Sequence, residues 1–501
     1  MILEAFGEAL QYMIQPSFLL AMLAGTMVGL VIGIIPGLGG TIGLAIFLPF
    51  VFGTPPLQAL PFMVAIWGTT ATGGAITSIL LNVPGSGANV ATLLDGYPMT
   101  RKGEAGRAIG AALTSSATGG AATALMALAL VPLILPMILA IFSADMVFII
   151  LMGLALMAVL SKGNMLKGLA AGGCGLMLAL VGFDDATGIG RFTLGTLYLY
   201  EGIEIAPLVL GLFALPTMIE LARKGGTITK VNMALTGVQG VWRGARDVAR
   251  HWWLWLRCTV FGLIIGIIPG VGASASTFMV YAHAKQTSKH PELFGTGIVE
   301  GVIAPESTNN AKDGGALLTT LALGIPGSVD AAILIGAFLL VGLIPGPAMF
   351  REHLGLSLSL VYVLVLANIL AAAICFVSVK HLIKIASVPG RLLAPVVIIF
   401  CLVGSFAHRE VVFDIVMTLI FAVLGLVMIK FKFNRPTLLL AFVLGSLFES
   451  YYTTAYRLGG PLFFLTDPRP ISISIIILLI GVFAFGPIRK LLQRRRRGEP
   501  A

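Results

Sequence analysis

The chain is written as long apolar runs separated by short polar loops. A run of about 20 apolar residues is long enough to cross a bilayer as a helix. Such runs predict spans near 75–98, 108–142, 144–160, 165–182, 205–221, 314–344, 355–377, 390–406, 411–430, 436–450 and 470–488. The first is interrupted by Pro84-Gly85 and the sixth by Pro326-Gly327, and the apolar stretch 57–74 leaves the start of the first span open. Two further apolar stretches, 17–52 and 258–284, carry a Pro-Gly in their middle.

Those two stretches are copies of one another. Gly29 to Gly40 reads GLVIGIIPGLGG and Gly262 to Ala273 reads GLIIGIIPGVGA, with nine of the twelve positions identical. A second pair follows in the same order: GGA at Gly73–Ala75 leads to PGS at Pro84–Ser86, and GGA at Gly314–Ala316 leads to PGS at Pro326–Ser328. A duplicated chain that breaks its apolar segments at matching Pro-Gly positions points to a transporter binding site.

Composition and charge turn this pattern into a topology. The chain is 57% hydrophobic and 11% charged, where a soluble domain carries about 25% charged residues. It reads as an all-α polytopic membrane protein whose first partner is the lipid bilayer. Acidic Glu4 and Glu8, with no Lys or Arg before the first apolar stretch, make a poor secretory signal. The net charge of +10 does not indicate nucleic acid, because the basic residues sit in short loops and in the run Arg494–Arg497. Loops 222–257 and 285–313 are both basic, so the stretch 258–284 between them should leave and return on one side. Each arm of about ten residues rises about 15 Å, half the hydrocarbon thickness. A re-entrant helical hairpin tipped by Pro269-Gly270 fits, with a matching hairpin at 17–52. The remaining loops then alternate, and the inner set holds 27 of the 32 Lys and Arg. The first hairpin enters from outside and the second from inside, so the repeats are inverted and the C-terminus is cytoplasmic. The expected organisation is a first transmembrane repeat at 1–221, a linker at 222–257 and a second repeat with a basic tail at 258–501. Within the linker, Val238 to Trp255 reads either as an interfacial amphipathic helix or as a loop with an aromatic belt.

The four Pro-Gly breaks carry the candidate chemistry. In the first half they gather Gly37, Gly39, Gly40 and Thr41, then Asn82, Ser86 and Asn89. In the second half they gather Gly270, Gly272, Ser274, Ser276 and Thr277, then Gly327, Ser328 and Asp330. Proline removes a donor and glycine permits positive φ, so a helix stops there and bares N–H and C=O groups. Exposed N-termini suit an anion and exposed carbonyls suit a small cation. The Gly, Ser and Asn positions are therefore substrate-binding candidates, and Thr41, Thr277 and Asp330 are coupling-ion candidates. The plainer alternative is that Pro-Gly only kinks helices and small residues only pack them. The stretch PESTNNAKDGG, Pro305–Gly315, adds Asn309 and Asn310, read either as ligands or as N-caps in a cytoplasmic loop ahead of the helix. Asp95, Asp414 and Glu449 lie near predicted span ends and read as interfacial. Cys174, Cys258, Cys375 and Cys401 read as packing residues, and no group of side chains has metal-ligand spacing. No catalytic constellation and no phosphate-cradling GxxxxGK[ST] is present, which excludes an ATPase on this chain and leaves an ion gradient or another subunit as energy source.

GIIPGLGG, the stretch ending NVPGSGANVATLLDG, GIIPGVGASAS, EGVIAPESTNNAKDGG and the LGIPGS–GLIPGP pair together resemble the large permease subunit of tripartite tricarboxylate transporters. The resemblance covers essentially the whole chain. It implies a bacterial inner-membrane secondary transporter working with a small membrane subunit and a periplasmic solute-binding protein. It implies carboxylate import, with citrate as the default, driven by Na+ or H+ as coupling cation and with no cofactor. Similarity to other carboxylate transporters with paired hairpins implies an elevator-like motion. The competing class is an ion-selective channel or passive pore for small anions, since glycine-rich breaks also build filters.

Overall fold

A computed structural model describes residues 2–160, 165–184, 187–224, 240–269, 271–386, 390–407, 409–460 and 472–477. The described chain is helical apart from loops and one small hairpin. The helices are α1 Ile2–Met13, α2 Pro16–Ile34, α3 Gly39–Phe47, α4 Pro56–Leu81, α5 Val90–Arg101, α6 Ala105–Leu139, α7 Ser143–Leu160 and α8 Met165–Ala179. After the β1–β2 hairpin (Gly182–Phe183, Gly190–Arg191) come α9 Leu197–Tyr200, α10 Ile205–Val209 and α11 Leu215–Lys224, the last two joined by a π-helical turn. The second half brings α12 Val241–Arg250, α13 Trp252–Ile267, α14 Gly272–Thr287, α15 Glu300–Leu323, α16 Val329–Leu340 and α17 Pro347–Glu352. The chain continues through α18 Leu354–Ala386, α19 Gly390–Ala407, α20 Val412–Lys430 and α21 Arg435–Gly459. Seven of these segments are long and apolar enough to cross a membrane: α2, α4, α6, α10–α11, α18, α20 and α21.

The helices form two compact units. One comprises the described residues of Met1–Pro136 and Glu204–Lys430 and contains both duplicated segments; the other comprises the described residues of Met137–Ile203 and Phe431–Ala501. In the smaller unit α21 packs on α7 and α8, and Arg191 pairs with Glu449 at 2.5 Å.

In the larger unit each GIIPG segment packs in the same way. Gly25, Gly29 and Gly33 of α2 meet Phe62, Thr69 and Thr70 of α4 in rising order, so the two helices run in the same direction. Residues 35–55, which include α3, carry the chain back between them. Likewise Cys258 and Gly266 of α13 meet Thr308 and Lys312 of α15, and α14 precedes the return. The approach is close enough to require glycine. A methyl group on Gly33 would stand 2.0 Å from the Thr70 carbonyl oxygen, and one on Gly266 would stand 2.0 Å from that of Lys312.

This packing corrects the register of the repeat. Gly73 closes on the Leu30 carbonyl as Gly315 closes on that of Leu263, and Leu30 and Leu263 are the same position of the duplicated segment. Gly73 is therefore equivalent to Gly315, and the two GGA triplets are offset by one residue. One residue is about 100° of helix rotation, and what fixes the rotation is which position can lose its Cβ against the neighbouring backbone.

Two further expectations change, and one of two open readings of the linker is met. The PESTNNAKDGG stretch is not a loop: it lies wholly inside α15, whose residues 301–322 are all buried. The first broken span starts at Pro56 rather than near 75, so the apolar stretch 57–74 belongs to it. The linker does contain a helix, but a short one, with Val241, Gly244, Asp247 and Val248 turned inward. Arg107 of α6 holds Asp247 at 2.5 Å, while Arg243, Arg246 and Arg250 face out. The tryptophans 252, 253 and 255 open α13.

Candidate functional site

Each half builds its break from the same parts. α4 ends at Asn82 (φ +57°) and α15 at the equivalent Gly324 (φ +64°), both left-handed. Pro-Gly follows, then a serine in extended conformation, Ser86 (φ −143°) or Ser328 (φ −149°). The Ser328 hydroxyl accepts from the Ala331 N–H and caps α16. At the equivalent place in the first half the Ser86 hydroxyl donates to Asn89 Oδ1 at 2.8 Å. α3 and α14 also begin alike, on left-handed Gly39 (φ +59°) and Gly272 (φ +72°). Gly85 and Gly327 each sit against the carbonyl of the glycine one turn before the tip, with 2.4 Å between that oxygen and a built methyl carbon. Break and tip thus touch within each half.

They also touch across halves. The Thr41 hydroxyl of α3 donates to Asp330 of α16, and Gly40 faces the same carboxylate. In the reciprocal contact Ser274 of α14 lies against Gly87, which follows the first break. Thr41 and Ser274 are equivalent in the duplicated segment. Beside this crossing, Gly266, Gly272, Ala273, Lys312, Asp313, Ala316, Gly327 and Ser328 line a small, partly open cleft. Lys312 is paired with Asp313 and lies within electrostatic reach of Asp330.

The other candidates divide. Asn89 is buried and its amide donates to the Ala71 carbonyl at 2.9 Å. Ser276 and Thr277 turn their hydroxyls back onto carbonyls of their own helix. Asn309 reaches Glu306 at 3.5 Å. Asn310 spends its amide N–H groups on the Gly68 carbonyl, the Thr72 hydroxyl and Asn368 Oδ1, tying α15 to α4 and α18. Asn82 and Gly37 are exposed at the ends of their helices. Gly270 lies outside the described residues.

Several buried ionisable groups emerge that the apolar pattern did not place in the core. Glu306, Lys312 and Asp313 sit inside α15, and Asp95 and Asp414, both expected at an interface, are buried in α5 and α20. Asp95 Oδ1 accepts from the backbone N–H groups of Gly295, Gly297 and Ile298, and Oδ2 accepts from the Tyr281 hydroxyl. One signal pointed to the first three. The duplication itself implies that the second break follows a helix as long as the one that includes 57–74, which reaches back to about residue 298.

The model of the tripartite tricarboxylate transporter TctA family matches residues 19–440, which include both tips, both breaks and α15. The chain belongs to the TctA family. An Agrobacterium vitis protein of 52.8 kDa, described as uncharacterized and lying in the TAR-I ttuC' 3' region, is 33% identical over 467 residues, 92% of each chain. A second A. vitis protein, from the TAR-II ttuC' 3' region, is 32% identical over 228 residues, 45% of this chain and 94% of its own. No solved structure matches. This TctA-family chain is therefore a multi-pass membrane protein of a transporter family, and that family works in tripartite systems.

Proposed function

We propose that this TctA-family chain is the permease subunit of a binding-protein-dependent importer of carboxylates, with tricarboxylates such as citrate as the default, driven by cation symport. Its partners in this reading are a small membrane subunit and a periplasmic solute-binding protein, in a bacterial inner membrane with the C-terminus cytoplasmic. The observation that carries it is the reciprocal crossing of tips and breaks, Thr41 on Asp330 and Ser274 on Gly87. Two copies of one device, whose equivalent tip residues Thr41 and Ser274 each reach the residues just after the other half's break, suit a site that is offered alternately to two sides. If the repeats are inverted in the membrane, the crossing is the place that either face would open, and an elevator-like motion of the tips and breaks follows.

The cleft beside the crossing has the chemistry of an anion site. It combines the Lys312 ammonium, the Ser328 hydroxyl and the first turns of α14 and α16, whose N–H groups and dipoles favour negative charge. Asp313 pairs with Lys312, and Asp330 lies within electrostatic reach of it.

The test is uptake of labelled carboxylate in vesicles carrying the full tripartite assembly. Accumulation above the outside concentration, abolished by collapsing the ion gradients, separates a carrier from a passive pore. Lys312→Gln and Ser328→Ala are expected to lower uptake by about 100-fold and about 10-fold, by loss of a charged and of a neutral hydrogen bond to a buried anion. Unchanged uptake in both, at equal membrane abundance, removes the cleft from the pathway.

A further inference from the structure

Two buried carboxylates flank the first break, and the protein treats them in opposite ways. Asp95 is fully supplied, with three backbone N–H donors on one oxygen and the Tyr281 hydroxyl on the other. Glu306 has one hydroxyl, from Thr92, and two long amide contacts, Asn89 Nδ2 at 3.4 Å and Asn309 Nδ2 at 3.5 Å. All three donors are neutral. A buried carboxylate held this weakly retains much of its desolvation penalty, and ionisable groups at membrane depth are kept for function.

No charge on a neighbouring element pairs with Glu306 among the described residues. Lys312 pairs with Asp313, Arg107 of α6 pairs with Glu104 and Asp247, and the buried Nε of Arg257 of α13 has no hydrogen-bond partner. α4 carries no ionisable side chain.

A second observation points to what is needed. Asn309 Oδ1 is buried and has no hydrogen-bond partner, although its sister atom Nδ2 faces Glu306. A half-turn of the amide exchanges the two atoms. With Nδ2 inward, Asn309 offers the carboxylate a donor; with Oδ1 inward, it would repel the carboxylate unless a cation sits between them. Asn89 is held in one orientation, with Nδ2 donating to the Ala71 carbonyl and Oδ1 accepting from Ser86 of the break, so it faces Glu306 with a donor only.

We propose that Glu306 and Asn309, with the Thr92 hydroxyl beside them, form a binding site for a single alkali-metal cation. One carboxylate among neutral oxygen donors gives the site a net charge of −1, which a monovalent ion cancels and a divalent ion would overshoot in a buried setting. Asp313 has the Lys312 ammonium as its partner and Asp330 lies within that ammonium's electrostatic reach, whereas Glu306 has no charged partner among the described residues, and the cation site is placed there. Its role as the coupling site rests on the symport reading above, while binding itself does not.

The experiment is thermal unfolding of the purified full-length chain in detergent, titrated with sodium chloride against choline chloride at constant ionic strength and pH. The wild type is expected to gain stability saturably with sodium. Glu306→Gln keeps the shape and the Thr92 hydrogen bond but removes the charge, and should raise the half-saturating sodium concentration about 100-fold or more. Asn309→Ala should raise it about 10-fold, and Glu306→Asp should retain the sodium response. The site is overturned if the wild type gains nothing from sodium over choline, if Glu306→Gln gains equally, or if stability answers only to pH. A wild type that binds sodium but takes up carboxylate without regard to a sodium gradient keeps the site and overturns sodium symport.

Discussion

Replacing Asp95 by alanine removes the acceptor for four donors at once: the N–H groups of Gly295, Gly297 and Ile298 and the Tyr281 hydroxyl. Each buried donor left without a partner costs about 1–3 kcal/mol. Gly295 is exposed and Gly297 and Ile298 are partly exposed, so their N–H groups regain water and most of that cost falls away. What remains is the Tyr281 hydroxyl, the lost charge-assisted bonds and a small void, together about 3–4 kcal/mol. Asp95→Asn keeps an acceptor for the three N–H groups and a partner for Tyr281, and should cost about 1–2 kcal/mol. Chemical denaturation of the purified chain measures the totals. Hydrogen exchange at Gly295, Gly297 and Ile298 localises them, because their amides should exchange faster in Asp95→Ala than elsewhere in the chain. Unfolding of Asp95→Ala within about 0.5 kcal/mol of wild type, or an asparagine variant as unstable as the alanine one, would refute the clamp.

Gly33→Ala and Gly266→Ala should each cost about 2–3 kcal/mol by forcing parallel helices apart, whereas Gly37, with nothing within 4 Å of a built methyl, should show only the strain of its left-handed backbone, about 1 kcal/mol. Folded yield in detergent ranks the three, and equal yields would contradict the packing. His251, between α12 and α13, is raised above its ordinary value of 6.5 by its hydrogen bond to Glu300, helped by the Asp247 carbonyl and opposed by burial. Its stabilisation is therefore full below the unfolded value and fades as pH rises through the higher folded one. Since the pair is partly exposed, the loss should stay below about 1 kcal/mol. A plot of unfolding midpoint against pH should slope down above about pH 6.5 in wild type and be flatter in His251→Gln, and identical slopes would remove His251 as the cause.

Much of the architecture was legible from apolar run length, since a helix that spans lipid must hide its own backbone polar groups and so needs about 20 apolar residues in a row. The duplicated GIIPG and PGS were legible too, because Pro and Gly end helices by local chemistry that needs no partner. On those grounds Ser86, Asn89, Ser274, Ser328 and Asp330 were singled out, and the structure sets them around the breaks. α15 failed the same test. Its central residues are polar and charged, which in a linear reading means a loop, yet they are buried because Lys312 meets Asp313 and Asn310 meets Gly68, Thr72 and Asn368.

The one-residue error in matching the GGA triplets has the same origin. Letters can be aligned two ways, but only one rotation of α15 lets Gly315 close on the Leu263 carbonyl. By itself the sequence determined the breaks, the repetition and the membrane class, all consequences of local backbone chemistry and of transfer into lipid. Only the tertiary structure decided which break meets which tip, that Asp95 is a satisfied anion and that Glu306 is a poorly satisfied one. Those outcomes depend on partners more than 180 residues away along the chain, between Asp95 and Tyr281 and between Thr92 and Glu306, and no local pattern encodes such a distance.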